Sequence, residues 1–217
     1  MRLIEDLRAE HEVIERVLGS LRTFVDRRAC GEGAPADGAL FVRFFRQFAG
    51  TWHHAREEEV LFPALEKYLE LPPDSGPIFS IVGQHQRMAA ILDEMAPLLS
   101  ARTTPAEAEK LRELSTKYAH DLLVHIDAEN SVLLPESDVR LGRAGVHELT
   151  MREATAEVLS AKAEGERLAS LYPPTHDPGA IRGEGCVICP SYGTTCGGLE
   201  REWWTDEEWE AFESREG

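Results

Sequence analysis

The sequence predicts an all-α protein: an antiparallel, up-down-up-down four-helix bundle, followed by an extra C-terminal helix and a cysteine-containing tail. Four long stretches space their apolar residues alternately three and four apart, short Pro- and Gly-bearing segments separate them, and no stretch alternates apolar with polar residues as a strand would. In the first, Ile4, Leu7, His11, Ile14, Leu18, Leu21 and Val25 share one face. The segment Cys30-Gly-Glu-Gly-Ala-Pro-Ala-Asp-Gly38 ends it. The second runs from about Ala39 to Glu70 and begins with Phe41, Phe44, Phe45, Phe48 and Trp52; Leu71-Pro-Pro-Asp-Ser-Gly-Pro77 breaks it. The third carries Ile78, Ile81, His85, Met88, Leu92, Met95 and Leu99. Thr104 as N-cap, with Pro105 in the first turn, opens the fourth. Its stripe is Leu111, Leu114, Tyr118, Leu122, His125, Glu129 and Val132. A fifth helical stretch spans about 146–171. The expected organisation is a bundle over 1–137, an additional helix over 138–172 and a tail over 173–217.

Composition narrows the function classes. The chain has 217 residues, 23 Lys plus Arg against 39 Asp plus Glu, and a net charge of −16. Such an acidic balance argues against a nucleic-acid binder, which needs a basic face. Hydrophobic residues make up 42 %, enough for a packed core. No apolar run of membrane-spanning length occurs, and the N-terminus alternates charged with apolar residues instead of forming a signal peptide. These features lead to the expectation of a cytoplasmic protein with no membrane and no nucleic-acid partner.

The first four helices contain a duplication. His53-His-Ala-Arg-Glu57-Glu-Glu-Val-Leu-Phe-Pro63 matches His125-Ile-Asp-Ala-Glu129-Asn-Ser-Val-Leu-Leu-Pro135, and His11 matches His85 on the preceding helices. Each half thus offers one His from its first helix and one His-x-x-x-Glu from its second. A single stripe histidine is ordinary core. Two buried carboxylates are not, because an ionised Glu in a core costs several kcal/mol unless it is paired or bound to a cation. No Lys or Arg lies in the stripes near Glu57 or Glu129. His11 and His53 stand at matching rises, roughly 20–25 Å from their shared connection, so the six side chains can converge at one level.

Four imidazoles and two carboxylates suit iron, manganese or zinc. Six donors are too many for one catalytic ion with an open position, whereas two ions with two His each, sharing both Glu, use all six. The spacing differs from the Glu-x-x-His of ferritin-like bundles. His54 would point about 100° away from His53 on an α-helix and reads as a residue that supports the ligands from behind or lies at the rim, with a ligand role as the lesser alternative. Glu58 and Glu59 belong to the solvated face, with Glu58 within reach of the site. Tyr118 reads as core or as a hydrogen-bond donor to the centre.

On His11, His53-x-x-x-Glu57, His85 and His125-x-x-x-Glu129, with Pro63 and Pro135 following, the chain resembles the hemerythrin-like (HHE cation-binding) proteins over about residues 1–137. The resemblance implies a non-haem di-iron centre in a four-helix bundle. His11 and His53 would hold one iron, His85 and His125 the other, and Glu57 and Glu129 would bridge them with an oxo or hydroxo group between. Oxygen-carrying hemerythrins bear a His-x-x-x-His on the third helix. Here the positions four before and four after His85 are Ile81 and Ala89, so the second iron has one imidazole fewer. That favours NO or peroxide chemistry, gas or redox sensing, or iron handling over reversible O2 transport.

In the tail, Cys186-Val-Ile-Cys189 and Cys196 read as a small metal knuckle holding Zn²⁺ or Fe, with His176 or Cys30 as fourth ligand. The alternatives are a Cys186/Cys189 redox couple and plain loop cysteines. Trp203, Trp204 and Trp209 are expected to pack back on the bundle or on a second subunit, giving a homodimer. The functional expectation is a di-iron protein that binds or consumes a small oxidant (O2, H2O2 or NO) in oxidative or nitrosative stress. The alternatives are an iron store or donor and a metal-dependent interaction module.

Overall fold

A computed structural model describes residues 1–174 and, beyond them, 204, 205, 207, 208, 210, 211 and 214. The described residues form α1 (Arg2–Ala29), α2 (35–69), α3 (Gly76–Ser100), α4 (105–143) and α5 (Ala156–Leu171), with no strand among them. Two helices are compound. α2 passes from Pro35–Phe44 through π-helical turns at Phe45–His54 and Glu57–Leu61 to Phe62–Leu69. α4 passes from Pro105–Ala128 through a π turn at Glu129–Leu133 to Leu134–Arg143. α1 packs on α4, α4 on α3 and α3 on α2, while α5 lies across α1 and the first half of α2. The fold is a hemerythrin-like helical bundle with the additional C-terminal helix.

Local chemistry sets the helix ends. At Thr104 the hydroxyl accepts from the Glu107 N–H while the Glu107 carboxylate accepts from the Thr104 N–H at 2.8 Å, a reciprocal cap. α2 begins at Pro35, four residues before the expected Ala39, because Pro35 is preformed for the first turn. Gly38 therefore sits inside the helix, where a Cβ would lie 2.0 Å from the Leu99 carbonyl oxygen; only glycine lets α2 and α3 approach there. α4 runs on to Arg143 and stops before Gly145, whose φ of +80° no other residue adopts comfortably. The fifth helix differs from expectation. Residues 146–155 are not helical, and α5 starts at Ala156, where the Thr155 hydroxyl caps Val158 N–H. Val146, Leu149 and Met151 instead pack as single residues against the lower core.

The core is split into two apolar compartments. An upper cluster holds Ile14, Leu18, Phe41, Phe45, Met88, Leu92, Tyr118 and Ile126, among others. A lower one holds Leu3, Leu7, Leu61, Leu65, Ile81, Leu133 and Leu141. On each bundle helix the histidine lies at the boundary: His11 between Leu7 and Ile14, His85 between Ile81 and Met88. A polar belt thus crosses the middle of a bundle that is apolar above and below. Trp204 is buried in the lower cluster, against Gly76, so this tryptophan packs back on its own chain. Trp203, Trp209 and the knuckle residues Cys186, Cys189, Cys196 and His176 lie outside the described residues. Cys30, the other proposed fourth ligand, is exposed beyond the end of α1. Among the described residues no helix is long and apolar enough to cross a membrane.

Candidate metal centre

The four stripe histidines are fixed from behind. His11 Nδ1 donates to Asn130 Oδ1 at 2.9 Å, His53 Nδ1 to Glu10 Oε2 at 3.0 Å, His85 Nδ1 to Glu58 Oε1 at 2.7 Å and His125 Nδ1 to Gln84 Oε1 at 2.9 Å. These oxygens only accept, so each Nδ1 carries the proton and each Nε2 keeps its lone pair for the interior. The glutamates face those lone pairs. Glu57 turns Oε1 toward His53 Nε2 and Oε2 toward His85 Nε2, each at 3.5 Å. Glu129 Oε2 lies 3.1 Å from His11 Nε2 and 3.3 Å from His125 Nε2. All four Nε2 atoms and all four carboxylate oxygens are buried and without a hydrogen-bond partner.

The structure therefore brings His11, His53, Glu57, His85, His125 and Glu129 into one cluster. It divides into two overlapping donor groups, His11, His53, Glu57 and Glu129, and Glu57, His85, His125 and Glu129, whose ligand atoms lie within 4.8 Å of one another. The two carboxylates belong to both groups.

The duplicated prolines shape this geometry. A proline inside a helix lacks an N–H and crowds the carbonyl four residues back. Ahead of Pro63 and Pro135 the chain closes on the fifth residue instead: Phe62 N–H donates to Glu57 O and Leu134 N–H to Glu129 O. Both π turns start at the shared glutamate, in keeping with the frequent placement of such turns at functional sites.

Electrostatics points the same way. Burial, reinforced by Glu129, raises the Glu57 carboxyl well above its ordinary range, and burial pushes Glu129 up to about 8. Burial first, then neighbouring imidazoles, lowers His53 and His125 far below 6.5 and His85 to about 3. The one buried arginine close by, Arg56, is turned away. Its Nη1 meets Glu10 at 2.6 Å, its Nη2 meets Asp6 at 3.3 Å, and its guanidinium lies 4.8 Å above the Trp52 ring. Among the described residues no Lys or Arg is turned toward these two carboxylates and four imidazoles, and such a buried His/Glu cluster is able to bind metal cations.

Sequence reasoning missed three of the outer partners. Glu10, Asn130 and Gln84 sit next to site residues in the chain and carried no spacing signal. Glu58, placed on the solvated face within reach of the site, holds His85. Tyr118 is core, edge-to-face with Phe45. His54 is half-buried beside the cluster: its ring lies 3.7 Å from that of His85 at 7°, and its Nε2 is buried without a hydrogen-bond partner.

Fold and site together define a helical-bundle cation-binding protein whose His/Glu cluster is able to bind metal. The family model for the hemerythrin HHE cation binding domain matches residues 2–137, and the chain belongs to that family. Comparison with curated proteins matched none, and comparison with solved structures matched none.

Proposed function

We propose that the cluster holds two iron ions and that they bind or react with a small oxidant, O2, H2O2 or NO. The observation that supports this reading is the sharing of Glu57 and Glu129 between two donor groups, each completed by its own pair of imidazoles. Ferrous ions held by His11, His53, Glu57, His85, His125 and Glu129 would supply electrons to the oxidant and open coordination positions for it.

The chain's own residues prepare that chemistry. Asn130, Glu10, Glu58 and Gln84 hold the protons on Nδ1, so that four Nε2 lone pairs face inward before any ion arrives. The apolar compartments above and below exclude water from the belt, which strengthens every charge interaction inside it. Glu57 and Glu129 give up their protons when cations enter, and their negative charge offsets the ions'. Bulk water is kept from the centre, so small uncharged molecules are the ligands that such surroundings admit most readily.

Iron analysis of protein purified without added metal tests the reading. The expected result is about two iron ions per chain and near-UV absorption that bleaches on reduction. The ferrous protein should be reoxidised stoichiometrically by peroxide or bind NO, with the iron retained. Release of the iron during that reaction would favour the store or donor role. A chain that binds no iron and gains no thermal stability from it would leave only the interaction module.

A further inference from the structure

We infer that Met151 is a site of oxidation by hydrogen peroxide and that Arg56 receives the sulfoxide so formed. Peroxide is the co-reactant and no metal takes part, so the inference stands apart from the two-ion reading above.

The chain has four methionines. Met88 and Met95 are buried in the upper cluster, and Met1 is half-buried against the lower one. Met151 is half-buried as well, but it lines a cleft of about 490 Å³ together with Asp6, Glu10, Trp52, Arg56 and Arg152. A cleft of that size admits water, and H2O2, small and uncharged, enters where water does.

The sulfur faces a poorly served guanidinium. Met151 Sδ lies 3.1 Å from Arg56 Nη2. A thioether is a weak acceptor, and Arg56 is only 3 % exposed, too deep for bulk water to make up the difference. Its other bonds go to carboxylates: Nη1 to Glu10 at 2.6 Å and Nη2 also to Asp6 at 3.3 Å. Nε, on the same edge of the guanidinium as Nη2, is buried with no hydrogen-bond partner. A buried donor left so forfeits a hydrogen bond. The edge of Arg56 that meets the methionine thus has one weak acceptor and one vacant donor.

Oxidation supplies what that edge lacks. The sulfur lone pair attacks one oxygen of H2O2, the S–O bond forms as the O–O bond breaks, and sulfur gives up two electrons. The departing hydroxide takes the proton from the transferred oxygen and leaves as water. The product carries a polar oxygen on a sulfur already within hydrogen-bond distance of Arg56, and a bond donated by a cationic N–H is of the stronger kind. A methionine sulfoxide in an apolar core disrupts its packing; here the new oxygen meets a donor. Arg56 also holds Glu10, which backs His53, so the contacts run from Met151 through Arg56 and Glu10 to the imidazole.

The test exposes the full-length chain, freed of iron and supplied with redox-inert zinc, to H2O2 and follows each methionine by peptide mass spectrometry. Met151 should gain one oxygen first, while Met88 and Met95 stay reduced. In the same sample the Arg56 Nε–H, assigned by sequential connectivity, should move to lower field in nitrogen-correlated NMR spectra and exchange more slowly with solvent. Methionine sulfoxide reductase should reverse both changes. In Met151→Leu, which keeps an apolar side chain of similar size, peroxide should leave the Arg56 signal unmoved. Oxidation of Met1 ahead of Met151 would overturn the assignment of the site. A Met151 sulfoxide with an unmoved Arg56 signal would overturn the role of Arg56. Both of these readings come from the wild-type chain, and neither bears on how many metal ions the centre binds.

Discussion

In the hairpin of α1 and α2, the second-helix histidine His53 is backed by the Glu10 carboxylate, which also receives Trp52 Nε1–H at 2.6 Å and the Arg56 guanidinium. In the hairpin of α3 and α4, its counterpart His125 is backed by the neutral amide of Gln84. The first-helix histidines reverse the pattern: His11 rests on the neutral Asn130 and His85 on the Glu58 carboxylate. Each pair of imidazoles thus has one charged and one neutral support, and each hairpin supplies the support for a histidine of the other. The two halves share the places where the contacts are made and differ in the charge of the supporting groups. The surroundings diverged as well. A surface cleft of about 490 Å³ lies behind Glu10 and Trp52, while the one behind Gln84 and Val124, at the matching place, is about 140 Å³.

The largest expected effect erases the comparison. Glu129→Ala removes a donor from both groups, so iron content should fall from about two ions per chain to below one. His53→Ala should cost mainly the ion of its own pair. Iron analysis of the purified variants checks this, and full retention in either would remove that residue from the ligand set.

Next comes the asymmetry between supports. Glu10→Gln leaves Arg56, almost fully buried, with Asp6 as its one remaining carboxylate, which should cost about 3 kcal/mol of stability and lower cation affinity some tenfold or more. Gln84→Ala should produce a comparable loss of affinity with much less loss of stability, because no buried charge is stranded. Denaturant unfolding beside metal titration separates the two outcomes; equal destabilisation would mean that the Glu10 network is not what holds Arg56.

pH acts on both halves at once. The Glu129 carboxyl is raised from 4.5 to about 8, so in the chain without cations its share of the fold's stability is complete below 4.5 and lost as pH climbs toward 8. His53 and His125 are lowered well below 6.5 and His85 to about 3, so these three cost stability as pH falls below 6.5. A cation needs the carboxylates ionised and therefore competes with protons. Its affinity should rise about tenfold per pH unit below 8 for the proton that Glu129 gives up, and further for that of Glu57, which is raised as well. A flat profile in metal titrations at several pH values would contradict the raised carboxyls.

The smallest effect sharpens the comparison. Asn130→Asp gives His11 the charged support that His85 already has. It should strengthen cation binding by tenfold at most, visible as a modest rise in melting temperature with metal present. No rise would indicate that support charge matters little in this belt.

The repeat made the helices, their order and six inward residues legible in the sequence. Helical periodicity places His11, His53, Glu57, His85, His125 and Glu129 on apolar faces whatever the packing, and a buried unpaired carboxylate already demands a cation. The outer partners were not legible, because Glu10, Gln84, Asn130 and Glu58 sit off the stripes and only the packing of one hairpin on the other brings them behind a ring. The stacking of His54 on His85 was not legible either, because it joins two helices whose packing the spacing of apolar residues does not give. Residues 146–155 likewise read as helical but are not helical in the structure, where Val146, Leu149 and Met151 pack against the lower core. The sequence by itself determined which residues face inward on a regular helix, since that follows from local geometry; tertiary structure decided where the helices depart from regularity and which side chains meet across the bundle, since those depend on contacts between segments far apart in the chain.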